Sequence, residues 1–472
     1  MKYPSYPKYK PSGVEWLGDV PEHWKVIRLK FSLRRIQQGW SPQCENSSAD
    51  EGEWGVLKVG AVNGSTFDAS ENKLLPSTEA PLPEFEIKAG DFLISRANTR
   101  ELLGSAALVS AVRRRLLLCD KLYRLEFRQG SIDPKFVLCF IRSSSGRFEF
   151  ERDATGSSDS MQNIAQQSVR DLWIPFPPIQ EQRTIAEFLD RETARIDTLV
   201  AKKRALVERL KEKRTALISR TVTRGLPPDA ARAAGLDPHP KLKSSGVEWL
   251  GDIPEHWDVK PVKFIASVGN GSTPSRENAD FWEDGSYPWL NSSVVNEAEV
   301  TQAIELVTPL ALRECHLPQI TPPAILIGIT GEGRTRGMAT TLRIEATINQ
   351  HLAFVKPRAV LQDVRYLRRV FDRAYQFLRN ESSGGGSTKG AITCDQIANL
   401  PTPIPPHPEQ CFVADYLDGE ITKIDRMTAQ VEAVIERLQE YRTALITAAV
   451  TGKIDVRART LPNQIRSDSV PA

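Results

Sequence analysis

The sequence predicts an α/β (α+β) protein: two mixed α/β domains in tandem pseudo-repeat, separated by two long antiparallel coiled-coil helices. Three observations predict it. Ser12-Gly-Val-Glu-Trp-Leu-Gly-Asp-Val-Pro-Glu-His-Trp24 returns about half the chain later as Ser245-Gly-Val-Glu-Trp-Leu-Gly-Asp-Ile-Pro-Glu-His-Trp257, with only Val20 exchanged for Ile253. A second pair of matched runs, from Pro175 to Asp190 and from Pro403 to Asp418, stands at a slightly shorter offset. Each of these later runs opens a helix-forming stretch much longer than an ordinary globular helix. Repetition on this scale means one structural unit used twice.

A chain of 472 residues exceeds one ordinary core and fits two domains with connecting elements. No stretch approaches the roughly 20 apolar residues that cross a bilayer. The opening Met1-Lys-Tyr-Pro-Ser-Tyr-Pro lacks the apolar core of a leader, so a cytoplasmic location and no membrane partner are expected. Six scattered cysteines (Cys44, Cys119, Cys139, Cys315, Cys394, Cys411) form no Cys-x-x-Cys pair and read as reduced thiols, with no metal site. The net charge of +3 permits a nucleic-acid partner without demanding one, because a binding surface is local.

In the first unit, Lys25 to Phe31 alternates as a half-buried strand, turning Leu29 and Phe31 inward. Short apolar runs over 55–59, 91–95, 106–109 and 121–127 read as further strands, and 134–143 as a helix. After Pro178, no proline or glycine interrupts the chain until Gly225. There Ile185, Leu189, Ile196, Leu199, Leu206, Leu210 and Leu217 fit heptad spacing, with Glu192, Lys203 and Lys213 as polar lapses. The second copy places Val413, Leu417, Ile424, Met427, Val431, Val434, Leu438, Tyr441 and Leu445 on the same seam, with Glu420 opposite Glu192. Some 40 helical residues make a rod of about 60 Å, which needs a partner helix of similar length. The expected boundaries are 1–177 (first domain), 178–222 (first long helix), 223–244 (linker), 245–405 (second domain), 406–449 (second long helix) and 450–472 (tail).

No catalytic signature holds. Gly331-Glu-Gly-Arg-Thr-Arg-Gly337 breaks both dinucleotide and P-loop spacing, but it is a basic, glycine-rich loop leaving the strand over 324–329. Backbone this small can approach a phosphate closely, so Arg334, Thr335 and Arg336 are candidate nucleic-acid contacts, against the plainer reading of an ordinary hairpin. The matching place in the first unit supplies Arg96, Asn98, Thr99 and Arg100. Gly156 to Ile164 aligns with Gly384 to Ile392 and adds Gln162 on one side and Ser387, Thr388 and Lys389 on the other, unless the loop merely caps a helix. Arg113 to Arg115 and the basic runs 202–204 and 211–214 read equally well as solvated faces. The histidines sit in repeats or turns, and Trp16, Trp24, Trp249 and Trp257 read as wedges between domain and helix rather than platforms for bases.

Taken together, the framing motifs resemble those of specificity (S) subunits of Type I restriction–modification enzymes. They are the Ser-Gly-Val-Glu-Trp-Leu-Gly-Asp stretch, the Gly-Ser-Thr-Lys-Gly loop at Gly386 to Gly390, the Pro-Pro-x-x-Glu-Gln helix start, and Arg-Thr-Ala-Leu-Ile followed by Val-Thr-Gly-Lys-Ile-Asp-Val456. The resemblance covers nearly the whole chain, but the first unit has Ser-Asp-Ser-Met-Gln where the second keeps Gly-Ser-Thr-Lys-Gly. It implies two target-recognition domains, each reading half of a bipartite site in double-stranded DNA, with the helices as a ruler. It also implies no catalysis and no cofactor on this chain. S-adenosylmethionine would sit on two methylation (M) subunits, and ATP and Mg on two restriction (R) subunits of the nuclease form. The alternative is a stand-alone two-headed DNA-binding regulator without enzyme partners.

Overall fold

A computed structural model describes residues 3–457 apart from 65, 159–160, 332, 359–361 and 383–389. The chain divides into two units: Met1–Arg204 with Ala433–Ala472, and Ala205–Glu432. Each therefore owns the first part of one long helix and the last part of the other.

The first unit carries β1 (Leu33–Gln38), β2 (Phe92–Ser95), β3 (Ala97–Asn98), β4 (Ala106–Leu108) and β5 (Leu122–Phe127). An antiparallel sheet runs in the order β1-β5-β2-β4. Its runs of Leu, Ile, Ala and Phe bury β2 on both faces, as a central strand requires. Helices α1 (Pro134–Ile141) and α2 (Ser144–Arg152) follow, then β6 (Met161–Asn163) and the long helix α3 (Ile179–Arg224). Asp133 caps α1 by accepting from the Lys135 and Phe136 amides.

The second unit repeats the plan with β7 (Ala266–Asn270), β8 (Glu299–Val300), β9 (Ala324–Gly328), β10 (Ala339–Leu342) and β11 (Leu352–Pro357). Its sheet runs β7-β11-β9-β10-β8, the same four-strand antiparallel order with one parallel strand added at the edge. One continuous helix, α4 (Val364–Glu381), stands where the first unit has two, and α5 (His407–Val450) is the second long helix.

Within each unit the two long-helix segments lie antiparallel. Asp197 pairs with Arg442 in the first unit and Arg214 with Asp425 in the second. The helix repeat matches Asp197 to Asp425 and Arg214 to Arg442, so the two pairs are equivalent. The buried seam keeps part of the heptad expectation, with Leu189, Leu210, Leu417 and Leu445 buried as assigned, and departs from it elsewhere. Ile185, Ile196, Val207 and Ile218 are buried, with Val413, Ile424, Ile435 and Ile446 at the matching positions, Ile435 only partly. Each set recurs every third turn, a period of about 3.67 per turn that stays close to the 3.6 of a straight helix. Leu199, Leu206, Met427, Val434 and Tyr441, assigned to a heptad seam, are exposed instead. A strict seven-residue stripe drifts off the contact line of a helix that is not underwound to follow it.

Phe31 is a second departure. The strand ends at Arg28, and a tight turn over Leu29–Phe31 breaks the alternation, burying Leu29 and leaving Phe31 63 % exposed.

The repeated opening stretch is the joint of each unit. Trp24 and Trp257 are fully buried, and each indole Nε1 donates to a glutamate in the first turn of a long helix, Glu181 and Glu409, at 3.1 Å. His23 and His256 hold the second oxygen of the same carboxylates at 2.9 and 2.8 Å. These two tryptophans are thus wedges, as expected, and the histidines have structural partners. Among the described residues no group of His, Cys, Asp or Glu has the arrangement of a metal site.

Candidate nucleic-acid interface

In each unit the strand at the sheet's centre, β2 or β9, leaves the sheet, runs through a loop and returns as β4 or β10. The two loops, 95–104 and 328–337, have the same length and match at the offset of the opening repeat, Ser95 falling on Gly328. Two backbone hydrogen bonds close each. Ser95 N donates to Ser105 O and Gly104 N to Ser95 O; Gly328 N donates to Met338 O and Gly337 N to Gly328 O. Gly104 and Gly337 make the closing turn at φ of 73° and 88°, where a side chain is strained. The loops therefore share a frame although Asn98 to Leu103 and Gly331 to Arg336 share no residue at any matched position.

The sequence-selected residues divide by exposure. Arg100 and Arg334 stand exposed on the loops. Thr99 and Thr335 are half-buried beside them. Asn98 is turned inward, its amide donating to Asn63 Oδ1 at 2.8 Å while its oxygen accepts from the Thr99 amide. Arg96 lies over the Tyr123 ring and donates to Asp120 O. Arg336 is only 7 % exposed, packed so closely that a Cβ on Gly390 would collide with its guanidinium.

Distant segments are also brought together. Gln162 on β6 sits opposite Asn98 on β3, and Ile164 N donates to Arg96 O at 2.8 Å. The second unit repeats that last bond from Ile392 N to Ile329 O, also at 2.8 Å. Ser387, Thr388 and Lys389 lie outside the described residues.

A family model for the Type I restriction modification DNA specificity domain matches residues 21–209 and again 254–437. The chain belongs to that family. The specificity subunit of the Type I restriction enzyme EcoEI from Escherichia coli is 31 % identical over 174 residues, which are 36 % of this chain and 29 % of that protein. The putative MjaX specificity subunit of Methanocaldococcus jannaschii is 23 % identical over 446 residues, covering 93 % of this chain and 96 % of that one. Among solved structures, a Type I R-M system complex chain superposes with a TM-score of 0.62 at 17 % identity over 91 % of this chain and 98 % of its own. The HsdS subunit of Thermoanaerobacter tengcongensis gives 0.52 at 17 % identity, over 92 % and 98 %. These likenesses support the fold.

The specificity-domain loops rest on residues the sequence did not single out. Arg142 on the chain just after α1 donates from Nε and Nη2 to Ala106 O, and Arg368 on α4 does the same to Ala339 O. Ala106 and Ala339 are repeat-equivalent, but the two arginines match at neither repeat offset, one standing just past a helix and the other inside one. Burial lowers both guanidinium pKa values from their ordinary range, and several hydrogen bonds to oxygen compensate for lost water. No sequence offset would have paired them.

Proposed function

We propose that this chain is the sequence-specific DNA-recognition subunit of a Type I restriction–modification complex. Each domain reads one half of a bipartite site in double-stranded DNA, and α3 and α5 set the spacing. Membership in the specificity-domain family, with two domains in tandem, supports a DNA-recognition subunit. The observation that carries the finer reading is the pair of equal-length loops with identical closure and unrelated residues, each presenting an exposed arginine. Arginine on guanine edges gives base discrimination, whereas the hydroxyls of Thr99, Thr335, Ser387 and Thr388, with Lys389, suit phosphates. Gln162 and the packed Arg96, Asn98 and Arg336 shape the reading surface. Arg334 shares a groove with Lys211 and Arg214 of α3, which are themselves paired with Glu208 and Asp425.

The chain itself is non-catalytic and holds no cofactor. Its partners are two methylation subunits carrying S-adenosylmethionine and, in the nuclease form, two restriction subunits using ATP and Mg, all in the cytoplasm. Repeat-equivalent apolar positions left exposed suit two copies of one partner: Phe31 and Phe264, Leu199 and Met427, Leu206 and Val434. No helix among the described residues is long and apolar enough to cross a membrane. No observation favours a stand-alone regulator.

Purified chain, methylation subunit and labelled S-adenosylmethionine test this together. Methyl transfer to DNA should need both proteins. Transfer by this chain alone, or specific DNA binding with no association to the methylation subunit, contradicts it.

A further inference from the structure

The two reading loops are held from behind by an arginine at the same place. Arg147, on α2, donates from Nη1 to Leu103 O at 3.1 Å and from Nη2 to Arg100 O at 3.2 Å. Arg379, on α4, donates from Nη1 to Gly333 O at 2.7 Å and to Arg336 O at 3.0 Å. Arg100 and Gly333 are matched positions in the two loops, and so are Leu103 and Arg336. One guanidinium thus ties the same two loop carbonyls in both domains, although one helix is broken into two and the other is continuous.

The physics of that contact favours a fixed pose. A guanidinium offers several donors in a rigid plane, and spanning two carbonyls three positions apart removes freedom from the intervening backbone. In the first domain that backbone includes the tip just after Arg100. In the second it includes Arg334, whose own carbonyl accepts from Tyr375 Oη at 2.8 Å. Charged donors to carbonyls make stronger hydrogen bonds than neutral ones, and the bonds to Leu103 O and Arg336 O are partly withdrawn from water. Neighbouring sequence does not force the coincidence, because residues 144–146 and 376–378 have no residue in common. A loop that reads bases must enter the groove already ordered, since ordering it on binding subtracts from discrimination.

We propose that Arg147 and Arg379 are positioning residues of the two reading loops, each setting the pose in which Arg100 or Arg334 meets DNA. The proposal rests on the DNA-reading function above. Neither arginine touches a base; each acts through the loop backbone, and each serves only its own half-site.

The test uses the full chain as wild type, R147A, R147K, R379A and R379K. Amide hydrogen exchange without DNA reads the clamp: exchange at Gly104 should quicken in R147A and at Gly337 in R379A, with β2 and β9 amides unchanged. Selection from a randomised duplex pool reads its purpose. R147A should flatten one half-motif roughly tenfold and leave the other intact, R379A the converse, with affinity for scrambled DNA retained. The lysine variants should recover part of the loss, and low, non-denaturing guanidinium should restore the alanine variants further. Unchanged exchange overturns the clamp even where the wild-type motif is clear. Quickened exchange with an unaltered motif, or equal loss in both half-motifs and on scrambled DNA, overturns the positioning role. A wild-type chain that selects no bipartite motif removes the reading function, and this role with it.

Discussion

The joints and the closed loops of the two domains have diverged by very different amounts. At the joint, tryptophan, histidine and glutamate recur with nearly equal hydrogen bonds, 3.1 Å from both indoles and 2.9 and 2.8 Å from the imidazoles. In the loops, closure and length recur but the residues do not. A buried carboxylate accepting several hydrogen bonds tolerates little change, because any lost partner leaves an unsatisfied polar group. A loop tip facing solvent incurs no such penalty and is free to vary. Under the proposed function, the difference separates the frame that places the loops from the loops that would read DNA.

The largest effect is expected at the joint. Glu181 also accepts from Tyr6 Oη at 2.7 Å, a bond from the start of the chain with no counterpart on Glu409 among the described residues. Glu181→Ala strands three donors and should cost about 3 kcal/mol or more in urea unfolding; Glu409→Ala should cost less. Equal losses would mean that the Tyr6 bond contributes nothing.

Gly104→Ala and Gly337→Ala come next, at roughly 1–2 kcal/mol each from positive φ alone. Gly104 should suffer more, since a Cβ there would meet the Phe150 ring at 2.5 Å, against 3.2 Å to Tyr375 at Gly337. Each variant should blur only its own half-motif in a selection experiment, and a change in both would remove the independence of the domains.

Acid should act on the second domain through Asp363, the cap of α4. Burial pushes its carboxyl up, but Arg365 and the amides of Arg365 and Tyr366 outweigh that and hold it below the usual carboxylate range. A carboxylate with a lowered folded pKa stabilises above its unfolded pKa, and that stability is lost as pH falls through the folded value. Asp363→Asn should therefore reduce stability at neutral pH and flatten its fall in acid; an unaltered acid profile would show that the cap is energetically silent.

The smallest effect belongs to the long helices. The exposed pairs Asp197–Arg442 and Arg214–Asp425 are each worth less than about 1 kcal/mol. Double-mutant cycles should return similar small couplings for both, weakening with salt.

Much of this was legible in the sequence, for identifiable reasons. The repeat established the tandem plan, and the uninterrupted run between Pro178 and Gly225 established a long helix, because neither needs tertiary information. The seam was legible only in part: Leu189, Leu210, Leu417 and Leu445 are buried as the heptad has them, but Leu199 and Leu206 are not. Leu199 and Leu206 fit a heptad as well as Ile196 and Val207 fit the longer period, and only packing decides which face is covered. Phe31 was misplaced because alternation cannot announce the turn at Leu29. The loops were found from glycine and arginine content. Which arginine faces out was not, since Arg336 and Arg334 differ only by the direction each takes from a turn. Arg142 and Arg368 were invisible because one residue just past a helix and one inside a helix reach an equivalent carbonyl.

The most direct measurement of the central claim is an exchange of residues 25–175 for another specificity domain of this family, followed by sequencing of the DNA that the assembled complex methylates. One half-site should change, while the other half-site and the gap between them stay as they were. A change in both half-sites, or in the gap, would contradict an account in which the repeated frame places two independent readers.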